Sequence, residues 1–163
     1  MKNSNFLNRL KIEGKLALVD CSEEISLSYE NKSAECRNVA KLAFDNNYFE
    51  SAVTQSYYSM YNNVLSLFFK CGIKCENHSA AAIILGEFFN QKELHQLFLK
   101  AKEERIDKQY YTPTSQSNPI TKVSANESIK VMIFFNPRIM ALKTSLKLDE
   151  IESIREKIKM SYQ

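Results

Sequence analysis

The sequence predicts an all-α protein, an antiparallel bundle of about five main helices with five to seven helices in total. Only three glycines and three prolines occur in 163 residues, which leaves few breaks for the turns of an all-β fold. Apolar residues recur at three- and four-residue intervals along most of the chain, and no stretch alternates as a half-buried strand does. A chain of this length can bury a real core, so residues 1–163 are expected to form one domain.

The predicted elements begin with a short amphipathic helix over 4–18. The helices of the bundle are then predicted over 21–45, 48–71, 79–89 and 91–111, followed by a loop over 112–119 and two helices that start near Ser124 and Asp149. Three pairs have the spacing of a capping box, namely Asp20 with Glu23, Ser124 with Glu127, and Asp149 with Glu152. Gly72 is expected to end the 48–71 helix, Asn77 or Ser79 to cap the next, and Pro137 to kink or stop the sixth.

The helix over 48–71 is the most apolar segment, and its apolar side chains cover more than half of its circumference. A helix of this kind must be surrounded by others, so it is predicted to be central and the most buried.

Composition restricts the function classes. The net charge of +3 comes from 22 basic and 19 acidic residues, a mild excess that permits RNA binding without indicating it. The first residues lack a signal-peptide core and no apolar stretch is long enough to cross a membrane, so a cytoplasmic location is expected. The four cysteines are expected to be reduced thiols, and Cys71 and Cys75 lack a second close ligand pair. Neither a metal nor a cofactor is therefore predicted.

Three segments, taken in order, carry a resemblance to a known family. They are SAVTQSYYSMYNNVLSLFFKCGI (51–73), ENHSAAAIIL (76–85) and AKEERIDKQYY (101–111). Together they resemble the HEPN superfamily, in its branch of small stand-alone archaeal and bacterial proteins, over residues 22–147.

The resemblance implies a helical bundle that forms a homodimer, with an Arg-led motif from each subunit at a shared cleft. Catalytically active members are metal-independent RNases whose motif is Arg, four to six residues, then His. Many are toxins paired with a minimal nucleotidyltransferase as antitoxin. The partners implied here are a second copy, such a nucleotidyltransferase, and RNA or a nucleotide, with no membrane.

The chain departs from this motif at its second position. Arg105 matches the motif Arg, but Tyr110 stands where His is expected, and Ile106 follows the Arg in place of a polar residue. A Tyr with a reference pKa of about 10 stays protonated at neutral pH, whereas a His near about 6.5 exchanges protons. We therefore expect a non-catalytic protein that binds a nucleotide, RNA or a nucleotidyltransferase through a cleft containing Arg105, with Tyr110 and Tyr111 as further ligand contacts.

Two alternatives remain open at this point. One is an RNase toxin that uses Arg105 with Tyr110, the two candidate catalytic residues, or with a displaced His. The other is a dimerising structural module. Single residues also have simpler interpretations: Arg105 as a solvated helix residue paired with Glu104 or Asp107, His78 as a cap or packed ring, and three tyrosines as core packing, namely Tyr57, Tyr58 and Tyr61. In family members with a transferase partner a Tyr near the motif accepts AMP, and Tyr111 is the position here that invites that comparison.

Overall fold

The computed structural model describes residues 2–109 and 120–161. Over these residues the predicted all-α helical bundle is confirmed, with seven helices, and the bounds of the elements are α1 Lys2–Ile12, β1 Leu16–Leu18, α2 Glu23–Asp45, α3 Phe49–Lys70, β2 Ile73–Cys75, α4 His78–Glu87, α5 Lys92–Gln109, α6 Lys122–Ser145 and α7 Leu148–Met160. None of the helices in the described part of the chain is long and apolar enough to cross a bilayer.

The lead-in segment is only partly helical. The predicted helix over 4–18 stops at Ile12, and Gly14 then adopts a left-handed backbone with φ of 72°. The chain continues into β1, which pairs antiparallel with β2 so that Leu16 faces Cys75. The two strands were not predicted. Strands of three residues are too short to show an alternating pattern, so sequence periodicity could not reveal them.

The predicted capping pairs are wrong at three helix starts. The groups that cap are those of Ser22, Thr121 and Glu150, in place of Asp20, Ser124 and Asp149. At α2 the Ser22 hydroxyl accepts from the Ile25 N–H at 3.1 Å, and at α6 Thr121 and Ser124 each accept from the backbone N–H of the other. The chain is rich in short polar residues, so the three-residue spacing recurs, and at α2 and α6 the residue with extended backbone before the helix becomes the cap.

α3 is the central helix, as predicted. It contacts α2, α4, α5, α6 and β2, and most of its side chains are buried, including Met60, Val64 and Phe68 at 0% exposure. Burial on several sides explains why its apolar positions exceed a single helical stripe.

A seam of small and polar side chains joins α2 and α3. Ser26 and Ser33 of α2 lie opposite Ser66 and Ser59 of α3, with hydroxyl–hydroxyl distances of 3.2 and 3.3 Å. Both serine pairs are seven residues apart on their helices, which keeps them on one side of each helix. The small side chains let the two backbones approach closely.

A lysine of α6, Lys143, also binds to these serines. The Lys143 ammonium donates to Ser26 at 3.1 Å, to Ser66 at 2.9 Å and to the Glu30 carboxylate at 2.6 Å. Farther along α6, the Asn136 amide donates to the Ser59 hydroxyl oxygen at 2.8 Å. We call these seven residues the polar seam: Ser26, Glu30, Ser33, Ser59, Ser66, Asn136 and Lys143.

Pro137 lies inside α6 and does not stop it, since the helix continues to Ser145. Proline has no backbone N–H, so the carbonyl of Ile133 lacks its usual helical donor.

The junction between α3 and β2 is held by a guanidinium group from α7. Gly72 has φ of 66°, which confirms the predicted glycine at the end of α3. The Arg155 side chain donates to the carbonyl oxygens of Val19, Cys71 and Gly72, each at 2.9 Å. Carbonyls that the end of α3 leaves without helical donors are thus satisfied by α7.

Candidate functional site

The start of α4 meets one face of α3 and one face of α5. α5 contributes Lys102 and Arg105, which are one helical turn apart and therefore share a face. The side chains that meet there define what we call the Arg105 site: Tyr57, Tyr58, Tyr61, His78, Ser79, Lys102 and Arg105.

Arg105 is enclosed by tyrosines and is only 7% exposed. One guanidinium nitrogen donates to the Tyr58 hydroxyl at 3.0 Å, and the guanidinium carbon lies 5.1 Å from the centre of the Tyr57 ring. Aromatic faces attract a cation at this distance. The interpretation of Arg105 as a solvated residue is therefore wrong, and Glu104 instead accepts a hydrogen bond from Ser128 at 3.3 Å.

His78 is a packed ring, one of the two roles considered for it. Its ring is stacked on Tyr61 with centroids 4.0 Å apart, and its Nδ1 lies 2.6 Å from the Tyr57 hydroxyl. Burial raises the pKa of Tyr57, so that hydroxyl keeps its proton and donates it to Nδ1. The hydrogen of the neutral imidazole is then on Nε2. The cap of α4 is Asn77, whose side chain accepts from the Ala80 N–H at 2.9 Å.

The imidazole of His78 is electrically neutral at physiological pH. Burial, together with the positive charges of Arg105 and Lys102, lowers its pKa to about 4. Both influences disfavour the imidazolium form. The shift also shows that two cations act together on the first residue of α4.

Lys102 reaches the first turn of α4. Its ammonium donates to the Ser79 hydroxyl at 2.6 Å, and it forms no ion pair with the described part of the chain. The first turn of α4 contains no acidic residue. A helix N-terminus carries a partial positive charge and free N–H groups, so cations beside it add to a field that favours an anion.

Arg105 was predicted from the sequence as a site residue, but most of the side chains around it were not. Tyr110 and Tyr111, predicted as ligand contacts, lie outside the described residues. Lys102 was missed, although its one-turn spacing from Arg105 was a signal that could have found it. Tyr57 is buried in the core, as predicted, whereas Tyr58 is half-buried and is bound to Arg105.

The described residues include no group of three or more His, Cys, Asp or Glu side chains that could hold a metal ion. A scan against protein-family models found no matching family, and searches of curated proteins and of solved structures found no significant match.

Proposed function

We propose that the protein is an atypical, non-catalytic HEPN-like protein that binds a nucleotide or RNA through the Arg105 site. The observation that carries the proposal is the position of Arg105 and Lys102, which both impose positive charge on the start of α4. Phosphate groups are the anions that nucleotides and RNA have in common. Guanidinium, ammonium and helix N-terminal N–H groups are their usual partners in proteins.

Several groups of the site would each contribute to binding of the phosphate or the base. Lys102 and Ser79 are half-buried and can donate to phosphate oxygens from the solvent side. Arg105 is buried and adds charge from behind, held in place by Tyr58. A half-buried tyrosine ring next to the phosphate also offers a face for stacking of a base.

The state of His78 favours binding over cleavage. A general base needs a free lone pair, and the Nδ1 lone pair of His78 accepts from Tyr57 while Nε2 carries hydrogen. A general acid needs a protonated imidazole, which a pKa of about 4 makes scarce at neutral pH. His78 is thus suited to donate a hydrogen bond from Nε2.

The quaternary part of the proposal is a homodimer in the cytoplasm, with a nucleotidyltransferase as a further partner. It rests on the HEPN resemblance. The apolar side chains of α3 and α4 are mostly buried within the single chain. A dimer would therefore use another surface. A mass near 19 kDa by light scattering at micromolar concentration would contradict it.

Fluorescence anisotropy with a labelled single-stranded RNA, with AMP as competitor, tests binding at the site. Lys102→Gln and Arg105→Gln are each expected to weaken binding by at least about tenfold. Lys100→Gln is the matched control, because it removes the same charge from an exposed position of the same helix. The proposal fails if all three variants bind equally well, or if wild type binds neither RNA nor AMP.

The RNase is the second candidate, because the structure brings a histidine to Arg105. An RNA-cleavage assay in EDTA with wild type, Arg105→Ala and His78→Ala decides between the two. Cleavage that is lost in both variants would replace the binding proposal with a catalytic one. Retained RNA binding without cleavage is the expected result.

A further inference from the structure

The Arg105 site places two positive side chains at the start of α4. Lys102 donates to the Ser79 hydroxyl at 2.6 Å, which holds its ammonium beside the first turn of this helix. The charge of Arg105 acts on the same turn, since it lowers the pKa of His78 together with that of Lys102. The N–H groups of a helix start add about half an elementary charge. The total charge at this position therefore exceeds what a singly charged anion would balance.

The acidic residues that flank this site in the sequence are engaged elsewhere. Glu76, just before α4, forms an ion pair with Lys74 at 2.9 Å. Glu104 of α5 accepts a hydrogen bond from Ser128 of α6 at 3.3 Å. Lys102 forms no ion pair within residues 2–109 and 120–161, and the first turn of α4 contains no acidic residue. The charge of Lys102 is therefore left for an anion from outside the described chain.

The same position offers hydrogen-bond donors. Lys102 and Ser79 are half-buried, so solvent reaches both. The Ser79 oxygen accepts from the Lys102 ammonium, so its own hydrogen can be donated to a ligand, and the ammonium has two further hydrogens. In the first turn the Ala80 N–H is bound to the Asn77 side chain. The N–H groups of His78 and Ser79 precede it and have no acceptor within the helix.

Nucleotides and RNA contain phosphate in two forms that differ in charge. A phosphodiester inside a strand has one negative charge and two oxygens that are not esterified. A terminal phosphate, which is a monoester, has a charge of about −1.5 to −2 at pH 7 and three acceptor oxygens. The monoester matches both the charge and the number of donors at the start of α4 more fully than the diester does.

We propose that the Arg105 site binds a terminal phosphate monoester in preference to an internal phosphodiester. This inference rests on the proposed function and names the ligand class of that site. The phosphate would lie at the start of α4, where Lys102, the Ser79 hydroxyl and the backbone N–H groups donate to its oxygens. Arg105 is buried behind them and would add charge without direct contact. The ligand is then a free mononucleotide or the phosphorylated end of an RNA strand.

Two ligands that differ by one methyl group test the preference. AMP carries a phosphate monoester, and adenosine 5′-methyl phosphate carries the corresponding diester on the same base and sugar. Isothermal titration calorimetry is expected to show at least about tenfold tighter binding of AMP. Fluorescence anisotropy with RNA strands that have a 5′-phosphate, a 3′-phosphate or no terminal phosphate separates the two sources. Tighter binding of a phosphorylated strand assigns the site to that RNA end, and equal binding of the three strands assigns it to the free mononucleotide.

Substitutions of Lys102 assign the preference to its charge. Lys102→Gln removes the cation nearest the phosphate, so the ratio of the two dissociation constants is expected to fall to within about threefold of one. Lys102→Arg retains the charge and is expected to retain the preference. Lys100→Gln removes a charge from an exposed position of the same helix and is the control. Circular dichroism verifies that each variant is folded.

The inference is overturned if wild type binds AMP and its methyl ester equally well, or if Lys102→Gln keeps the full preference for AMP. RNA binding that depends on Lys102 and Arg105 but does not respond to the charge of the phosphate would leave the proposed function standing and remove this inference alone. A wild-type protein that binds neither RNA nor AMP would remove both.

Discussion

Two polar clusters lie against α3, and they differ in the groups that surround their positively charged side chains. In the polar seam the Lys143 ammonium has three oxygen partners, one of them the Glu30 carboxylate. In the Arg105 site the cations contact hydroxyls and aromatic faces, with Lys102 donating to Ser79 and Arg105 donating to Tyr58 and lying over its ring. The first cluster satisfies its charge within the chain.

The difference separates a cluster that stabilises the fold from one suited to binding. Charge that is paired and enclosed contributes to the packing of helices, and breaking it costs stability. The charge of Lys102 lowers the pKa of the neighbouring His78 and has no carboxylate partner among the described residues, so it is kept at a cost that a bound anion would relieve. Substitutions in the polar seam should therefore change stability, and those in the Arg105 site should change binding.

The largest effect is expected for Glu30→Ala. It leaves the Lys143 ammonium enclosed with only serine hydroxyls, and unfolding by urea should show a loss of about 3 kcal/mol. Glu35→Ala is the control, because Glu35 is an exposed carboxylate of the same helix. It should change stability by no more than about 0.5 kcal/mol. Equal losses in both variants would remove the distinction between the two clusters.

Ser59→Ala should have the next largest effect. It removes the acceptor of the Asn136 amide and the donor to the Ser33 carbonyl, so two buried groups lose a partner. The expected loss in free energy of unfolding is about 2 kcal/mol. RNA binding at the Arg105 site should be unchanged, and a parallel loss of binding in the folded variant would contradict the separation.

The pH dependence of stability tests the Arg105 site. His78 has a lowered pKa of about 4 in the folded protein, and an unfolded histidine titrates near about 6.5. Between these values the unfolded chain binds a proton that the folded chain does not. Stability should therefore fall as pH is lowered from about 6.5 towards 4.

Comparison with His78→Phe isolates this contribution, because phenylalanine can stack on Tyr61 without titrating. The ring is partly solvent-exposed, so we expect about 1 kcal/mol of the loss between pH 7 and pH 5 to vanish in the variant. Identical pH profiles for the two proteins would show that the pKa of His78 is not lowered.

The smallest change in stability is expected for Lys102→Gln, within about 0.5 kcal/mol of wild type. The same substitution should raise the pKa of His78, since one of the two positive charges that lower it is gone. An NMR titration of the imidazole measures this directly, and Lys100→Gln again serves as control. An unchanged His78 pKa in Lys102→Gln would show that the charge of Lys102 does not act on this ring.

Helix number and the central place of α3 could be predicted from the sequence, because long apolar periodicity is a strong signal. The strands could not, since Leu16–Leu18 and Ile73–Cys75 are too short for a period to appear. The three capping pairs were wrong because the chain offers several polar residues at those helix starts, whereas Asn77, one of the two residues predicted to cap α4, is confirmed.

The polar seam and the Arg105 site were harder to foresee for different reasons. Serines at seven-residue intervals were present in the sequence, at Ser26 and Ser33 and again at Ser59 and Ser66. Their role in helix packing becomes evident only once α2 and α3 are known to pack against each other. At the other site Arg105 and His78 are brought together by three helices. The spacing of residues along the chain does not predict distances between side chains on different helices.

The junction at Gly72 makes two distant positions interdependent in evolution. A Cβ atom at Gly72 would collide with the Arg155 guanidinium and with the carbonyl of Val19, and the left-handed backbone penalises any side chain there as well. Shortening Arg155 would relieve only the first of these conflicts and would remove a donor from three carbonyls, of which only that of Gly72 keeps another among the described residues, the Val19 N–H. Neither a substitution at Gly72 or Arg155 alone nor the two together keeps the junction intact. Relatives that share the junction should therefore retain both residues.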